Sequence, residues 1–155
     1  MSLTQKSPAS AASAVDPFRI LLAEDSPTDA DLTLRALARS RFRSEVVHVT
    51  DGVIAMETLH RQQEEDSAIH LILLDLNMPR MDGRGVLREL RDHAALQLIP
   101  VVVLSTSGDD RDITAAYSLG ANAYVVKPVD LVEFYATVQG ILDFWFGVAV
   151  RGHSH

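Results

Sequence analysis

Short apolar runs alternate with helix-like segments five times along this 155-residue chain. We predict strands over residues 18–23, 45–49, 70–75, 100–105 and 123–126. The third run contains Leu71-Ile72-Leu73-Leu74, and an uninterrupted apolar run of this kind is typical of a strand buried on both faces. Strict alternation of such strands with helices predicts an α/β domain, in which helices cover both faces of a parallel sheet.

The predicted helices begin and end at recognisable residues. They cover residues 27–39, 51–63, 83–92 and 110–119, and a fifth follows Asp130. Ser26 precedes Pro27 as a predicted N-cap, and Gly120 is placed to end the fourth helix. Right-handed crossovers leave few topologies, and we predict a flavodoxin-like (βα)5 doubly wound sheet with strand order 2-1-3-4-5. In this order the first and third strands are neighbours.

Acidic residues and one lysine lie where three of these strands end. Glu24 and Asp25 follow the first strand, Asp75 ends the third, and Lys127 follows the fifth. Three crowded carboxylates need a cation, and their hard oxygens suit Mg²⁺ or Mn²⁺. Asp75 could then attack phosphorus and form an acyl phosphate, while the Ser105 hydroxyl at the end of the fourth strand bonds a phosphoryl oxygen. The pattern predicts a metal-assisted phosphoryl-transfer site.

The composition limits the functional classes to which this chain can belong. The net charge of −7 disfavours nucleic-acid binding, and no apolar run approaches the length needed to cross a membrane. The chain has no cysteine, which fits a cytoplasmic location. We expect a disordered N-terminal tail over residues 1–16, one domain over 17–147, and a C-terminal tail over 148–155.

Five motifs in register resemble the CheY-like receiver domain of bacterial two-component response regulators. The resemblance covers nearly all of residues 18–142. It rests on the acidic pair Glu24-Asp25, the Leu-Asp-Leu-Asn-Met-Pro box around Asp75, the Met-Asp-Gly turn at 81–83, Ser105, and Lys127-Pro128.

The resemblance implies roles for the residues at the strand ends. Asp75 is similar to the phospho-acceptor, and Lys127 to the lysine that pairs with the phosphoryl group. The implied metal ligands are the carboxylates of Glu24, Asp25 and Asp75 and the backbone carbonyl of Asn77.

The resemblance also implies residues that transmit or time the signal. Ser105 and Tyr124 correspond to the switch pair, with serine in place of the commoner threonine. Asn77 and Ser107 lie where the family tunes the lifetime of the phosphoryl group. A polar segment at 61–67 and the aromatic C-terminal helix resemble small regulators that are paired with phytochrome-type histidine kinases.

The last helix carries two apolar stripes where a surface helix needs one. The first stripe should dock on the sheet, and it comprises Phe134, Val138, Ile141 and Trp145. The second predicts a homodimer interface through this helix, and it comprises Leu131, Tyr135, Leu142 and Phe146. The alternative is a wider contact with the fourth helix or the N-terminal tail.

These observations favour a single-domain response regulator. It would accept a phosphoryl group from a histidine kinase onto Asp75 and signal through protein contacts, catalysing only its own phosphorylation and dephosphorylation. Few residues follow Leu142, so we expect no output domain. One alternative is a phosphorelay shuttle that passes the group to a further histidine domain. Remote alternatives are a flavin- or nucleotide-binding module and a phosphatase, but Glu24-Asp25-Ser26-Pro27 is acidic and residue 77 is not an acid.

Overall fold

Five parallel strands form one sheet in the order β2-β1-β3-β4-β5, in a computed structural model that describes residues 16–148. The strands are β1 (Phe18–Ala23), β2 (Ser44–Val49), β3 (Leu71–Leu74), β4 (Val101–Ser105) and β5 (Ala123–Val126). The helices are α1 (Pro27–Ala38), α2 (Gly52–Glu64), α3 (Gly83–Arg91), α4 (Asp110–Ser118) and α5 (Leu131–Leu142). The predicted flavodoxin-like topology is confirmed. The predicted tails lie outside the described residues, except for Asp16 and Val148.

The helix ends follow from local side-chain chemistry. The Ser26 hydroxyl accepts a hydrogen bond from the backbone of Asp29 at 3.2 Å, as predicted for the N-cap of α1. Gly120 has φ +106°, so it ends α4 in the left-handed conformation that glycine adopts without strain. Asp109 caps α4, and its side chain accepts a hydrogen bond from the Arg111 backbone N–H at 2.8 Å.

The sheet separates two apolar layers. α2, α3 and α4 cover one face, where Leu59 and Leu87 are buried, and α1 and α5 cover the other, where Leu37 and Val138 are buried. Ile54 of α2 lies outside this core and is 37% exposed. No helix within residues 16–148 is long and apolar enough to cross a membrane.

The prediction that Leu142 and Phe146 lie on an exposed dimer stripe is wrong. Leu142 is fully buried, and Phe146 is only 8% exposed. The chain continues after α5 in a π-helical turn (Asp143–Val148), and here the Phe146 ring stacks on Phe18 with ring centroids 3.9 Å apart. Phe42 meets Phe146 edge-on at 5.9 Å. The second stripe therefore has a partner within the domain, at the N-terminal end of β1.

The other two residues of that stripe are in different surroundings. Tyr135 is half-buried, and the Arg39 guanidinium lies 4.4 Å from the centre of its ring. Leu131, in the first turn of α5, remains 48% exposed. Only the N-terminal part of the predicted stripe is thus accessible to a partner.

Candidate functional site

The register of β1 and β3 brings Asp75 and Glu24 together. Leu74 pairs with Ala23 at the ends of the two strands, and the Asp75 backbone N–H donates to the Ala23 carbonyl at 2.9 Å. The next residues along each strand are the two acids. Gly83 allows the following loop to return against this point, because a Cβ there would lie 2.6 Å from the Asp75 carbonyl oxygen. The sequence predicted this pair of carboxylates.

The Asp75 carboxyl is held in a setting that opposes its ionisation. Burial, followed by the negative charge of Glu24, raises the pKa of Asp75 to about 6 from an ordinary 3.8. The positive charge of Lys127 and a hydrogen bond from the Asn77 backbone act in the opposite direction. The site therefore carries more negative charge than its cation balances, which is the situation that a bound metal ion would relieve.

Lys127 is positioned by the sheet and held by two acids. Its backbone N–H donates to the Ser105 carbonyl at 2.7 Å, which extends the pairing of β4 and β5 by one step. Its ammonium donates to Glu24 Oε1 at 2.6 Å and to Asp29 Oδ2 at 3.0 Å. Although burial alone would lower the pKa of Lys127, the bonds to Glu24 and Asp29 and the charge of Asp75 raise it. Lys127 stays charged beside Asp75.

Asp29 is a site residue that the sequence analysis missed. Its carboxylate bonds the lysine of the site. The first turn of α1 follows β1 directly, so a side chain there can reach the ends of the strands. The available indication was its position, four residues after Asp25, in the turn that opens next to the acidic pair.

The predicted metal ligands are only partly assembled. Glu24 is 3% exposed and faces Asp75, whereas Asp25 and Asn77 are exposed. Among the described residues, no three acidic or histidine side chains are already grouped as ligands of one ion. The donor set nevertheless fits a divalent cation, because it offers hard carboxylate and carbonyl oxygens around a carboxyl group with excess negative charge.

The two predicted switch residues are linked through Ser107. The Ser105 side chain is fully buried, and its Oγ accepts a hydrogen bond from the Ser107 backbone N–H at 3.2 Å. The Tyr124 hydroxyl donates to the Ser107 carbonyl at 2.8 Å. The structure therefore places Ser105, Ser107 and Tyr124 in one hydrogen-bonded group beside the acidic site.

This arrangement can support attack of a carboxylate on phosphorus. Asp75 supplies the nucleophilic oxygen, Lys127 supplies a fixed positive charge, and Ser105 supplies a hydroxyl donor at the end of the neighbouring strand.

Comparison with known proteins identifies this arrangement. The family model for the response regulator receiver domain matches residues 20–139. The response regulator Rcp1 of Synechocystis is 43% identical over 131 residues, which cover 83% of this chain and 89% of the relative.

Solved structures agree with the sequence match. The phosphorylated cyanobacterial phytochrome response regulator RcpA is 43% identical, with a TM-score of 0.82 over 88% of this chain and 99% of that one. The Mn²⁺-bound form of Rcp1 is 42% identical, with a TM-score of 0.79 over 88% and 100% of the two chains. The chain therefore belongs to the response regulator receiver domain family.

Proposed function

We propose that Asp75 accepts a phosphoryl group from the phosphohistidine of a sensor histidine kinase. A carboxylate oxygen of Asp75 attacks phosphorus, the phosphorus–nitrogen bond to the histidine breaks, and the imidazole keeps the electron pair and takes a proton. The observation that supports this role most strongly is the half-buried Asp75 carboxyl between Glu24 and the charged Lys127. The protein acts as a stoichiometric acceptor rather than as an enzyme with sustained turnover.

A divalent cation, Mg²⁺ or Mn²⁺, belongs to this proposal. Asp25, Asp75 and the Asn77 carbonyl would hold the ion, with Glu24 contributing directly or through water. The bound ion would neutralise charge on the transferring phosphoryl group. The excess negative charge around Asp75 supports this assignment, as does the similarity to the Mn²⁺-bound form of Rcp1.

Other residues around Asp75 have separate roles in the proposed reaction. Lys127 would pair with the phosphoryl group, and it must loosen its bonds to Glu24 and Asp29 to do so. Ser105 would turn its hydroxyl toward a phosphoryl oxygen, and the Tyr124 side chain would move in response. Asn77 and Ser107 would set how long the acyl phosphate survives.

The similarity to RcpA and Rcp1 supports a phytochrome-type kinase as the donor. The absence of cysteine fits transfer in the cytoplasm. Transfer from purified, labelled kinases tests both parts of the proposal. A phytochrome-type kinase should label the wild-type protein faster than an unrelated kinase does, and Asp75→Asn should take no label from either. Equal labelling of the Asn variant would contradict the assignment of Asp75, whereas equal rates from both kinases would contradict only the pairing.

Self-association is a second part of the proposal, through a smaller surface than the sequence suggested. Four exposed apolar residues lie together in sequence at the end of β5 and the start of α5: Val126, Val129, Leu131 and Val132. Val129 is fully exposed, and Val132 is 74% exposed. A second copy of the chain would cover this surface in a twofold arrangement.

A further inference from the structure

Ser107 is bonded to three different segments of the domain. Its backbone N–H donates to Ser105 Oγ at 3.2 Å and its carbonyl accepts from Tyr124 at 2.8 Å. Its own hydroxyl donates to Asp112 Oδ2, in the first turn of α4, at 2.6 Å. The loop between β4 and α4 is therefore fixed at a single residue next to the site.

The third of these bonds reaches a second helix. The other carboxylate oxygen of Asp112 accepts a close charged hydrogen bond from the Arg84 guanidinium, at the start of α3. Both side chains are about two-thirds buried, at 30% and 31% exposed, so solvent screens the pair less than a fully exposed one. The loop that follows Asp75 leads directly into α3. The Arg84–Asp112 pair therefore connects this helix to α4 and, through Ser107, to the loop that follows β4.

These bonds favour the unmodified arrangement of the loop. In the proposed phosphorylated state, Ser105 Oγ swings toward β3 to donate to a phosphoryl oxygen on Asp75, and its bond from the Ser107 N–H lengthens. Ser107 cannot follow freely while Asp112 and Tyr124 hold it. Each bond that is present in one state and lost in the other shifts the balance between the two states by its own strength.

We infer that Arg84 and Asp112 are positioning residues that act through Ser107 to oppose the phosphorylated state. This inference rests on the proposed function of Asp75. Removal of Asp112 eliminates the bond from the Ser107 hydroxyl, and removal of Arg84 releases Asp112 from α3. Either change lets the loop adapt to a phosphoryl group and increases the affinity of the site for one. Neither residue touches the acceptor itself.

Beryllofluoride in the presence of Mg²⁺ serves as the phosphoryl mimic for the test, with its affinity measured by calorimetry. Arg84→Ala and Asp112→Ala should each bind the mimic about two- to fivefold more tightly than wild type. Nuclear magnetic resonance of the unmodified protein should show faster hydrogen exchange at the Ser107 amide in both variants. Arg88→Ala and Asp110→Asn, which change the same charges on exposed parts of the same helices, should match wild type in both measurements.

The coupling through Ser107 has its own test. In a Ser107→Ala background, Arg84→Ala should no longer change the affinity for the mimic, because the bond through which it acts is absent. A persisting effect there, or wild-type values in both Arg84→Ala and Asp112→Ala, would overturn the inference. If the wild-type protein bound no mimic, the proposed function itself would fail; unchanged Ser107 exchange with normal mimic binding would contradict only the role of the ion pair.

Discussion

The ionised carboxylate of Asp75 destabilises the folded state of the unphosphorylated protein. Its pKa is about 6 in the folded protein, owing to burial and then to Glu24, against an ordinary 3.8. The folded state therefore binds this proton more tightly than the unfolded chain does. The bound proton therefore stabilises the folded state. This contribution to the free energy of unfolding is fully present below about pH 4 and is lost as the pH rises through about 6. The acceptor is thus kept in place at some cost to stability at neutral pH.

The variant Asp75→Asn should consequently be more stable than wild type at pH 7.5. The pKa shift corresponds to about 3 kcal/mol for a group shielded from water, and partial exposure reduces the expected gain to about 1–2 kcal/mol. Urea unfolding without metal measures it, with the exposed Asp16→Asn as control. The gain should shrink toward zero at pH 4, where the carboxyl is neutral in the folded wild type. A gain independent of pH would show that charge is not its origin.

Asp29 affects the site through Lys127. Its hydrogen bond is one of the causes that raise the pKa of Lys127, so Asp29→Asn should lower that pKa relative to wild type. Titration of the Lys127 side chain by nuclear magnetic resonance gives the value directly. Asp31→Asn, which removes an acid from the same helix that pairs with Arg35 instead, should leave the titration unchanged. An unshifted Lys127 in Asp29→Asn would mean that Glu24 alone holds the ammonium.

At the scale of elements, the aromatic contact beyond α5 should carry a large share of local stability. Phe146→Ala removes a ring that is 8% exposed and stacked on Phe18, and it should reduce the free energy of unfolding by about 3 kcal/mol. Phe144, two residues earlier in the same turn, is 50% exposed. Phe144→Ala should cost less than about 1 kcal/mol, and equal losses in the two variants would contradict the packing described here.

The same turn shows what could and could not be predicted from the sequence. Strands, caps and the pairing of Glu24 with Asp75 were predictable because they follow from local apolar runs, single capping residues and the strand order. The burial of Phe146 depends on Phe18 and Phe42, which lie more than a hundred residues away in the chain. Helical periodicity identified a second apolar stripe but could not show whether its partner lay inside or outside the domain. Likewise, the position of Asp29 after the acidic pair placed it near the strand ends but could not show that Lys127 would reach it.

At the scale of the whole molecule, the proposed dimer makes a prediction about one surface. Val132→Glu places a charge in the exposed apolar patch and should yield a monomer with an unchanged fold. Leu98→Glu serves as control, because Leu98 is equally exposed, at 74%, but lies in the 3₁₀ turn before β4. Sedimentation across micromolar concentrations, with and without beryllofluoride, distinguishes the two variants. A wild-type protein that stays monomeric throughout would refute self-association.

The central claim concerns the whole domain, since Asp75 and the two charged residues beside it, Glu24 and Lys127, follow three different strands. Intact-mass measurement after incubation with acetyl phosphate and Mg²⁺ tests it most directly, because no kinase is needed. We predict the added mass of one phosphoryl group, located at Asp75 by peptide mapping, stable in acid and lost in alkali as an acyl phosphate is. Asp75→Asn should gain no mass. A phosphoryl group on another residue, or undiminished labelling of Asp75→Asn, would contradict the account.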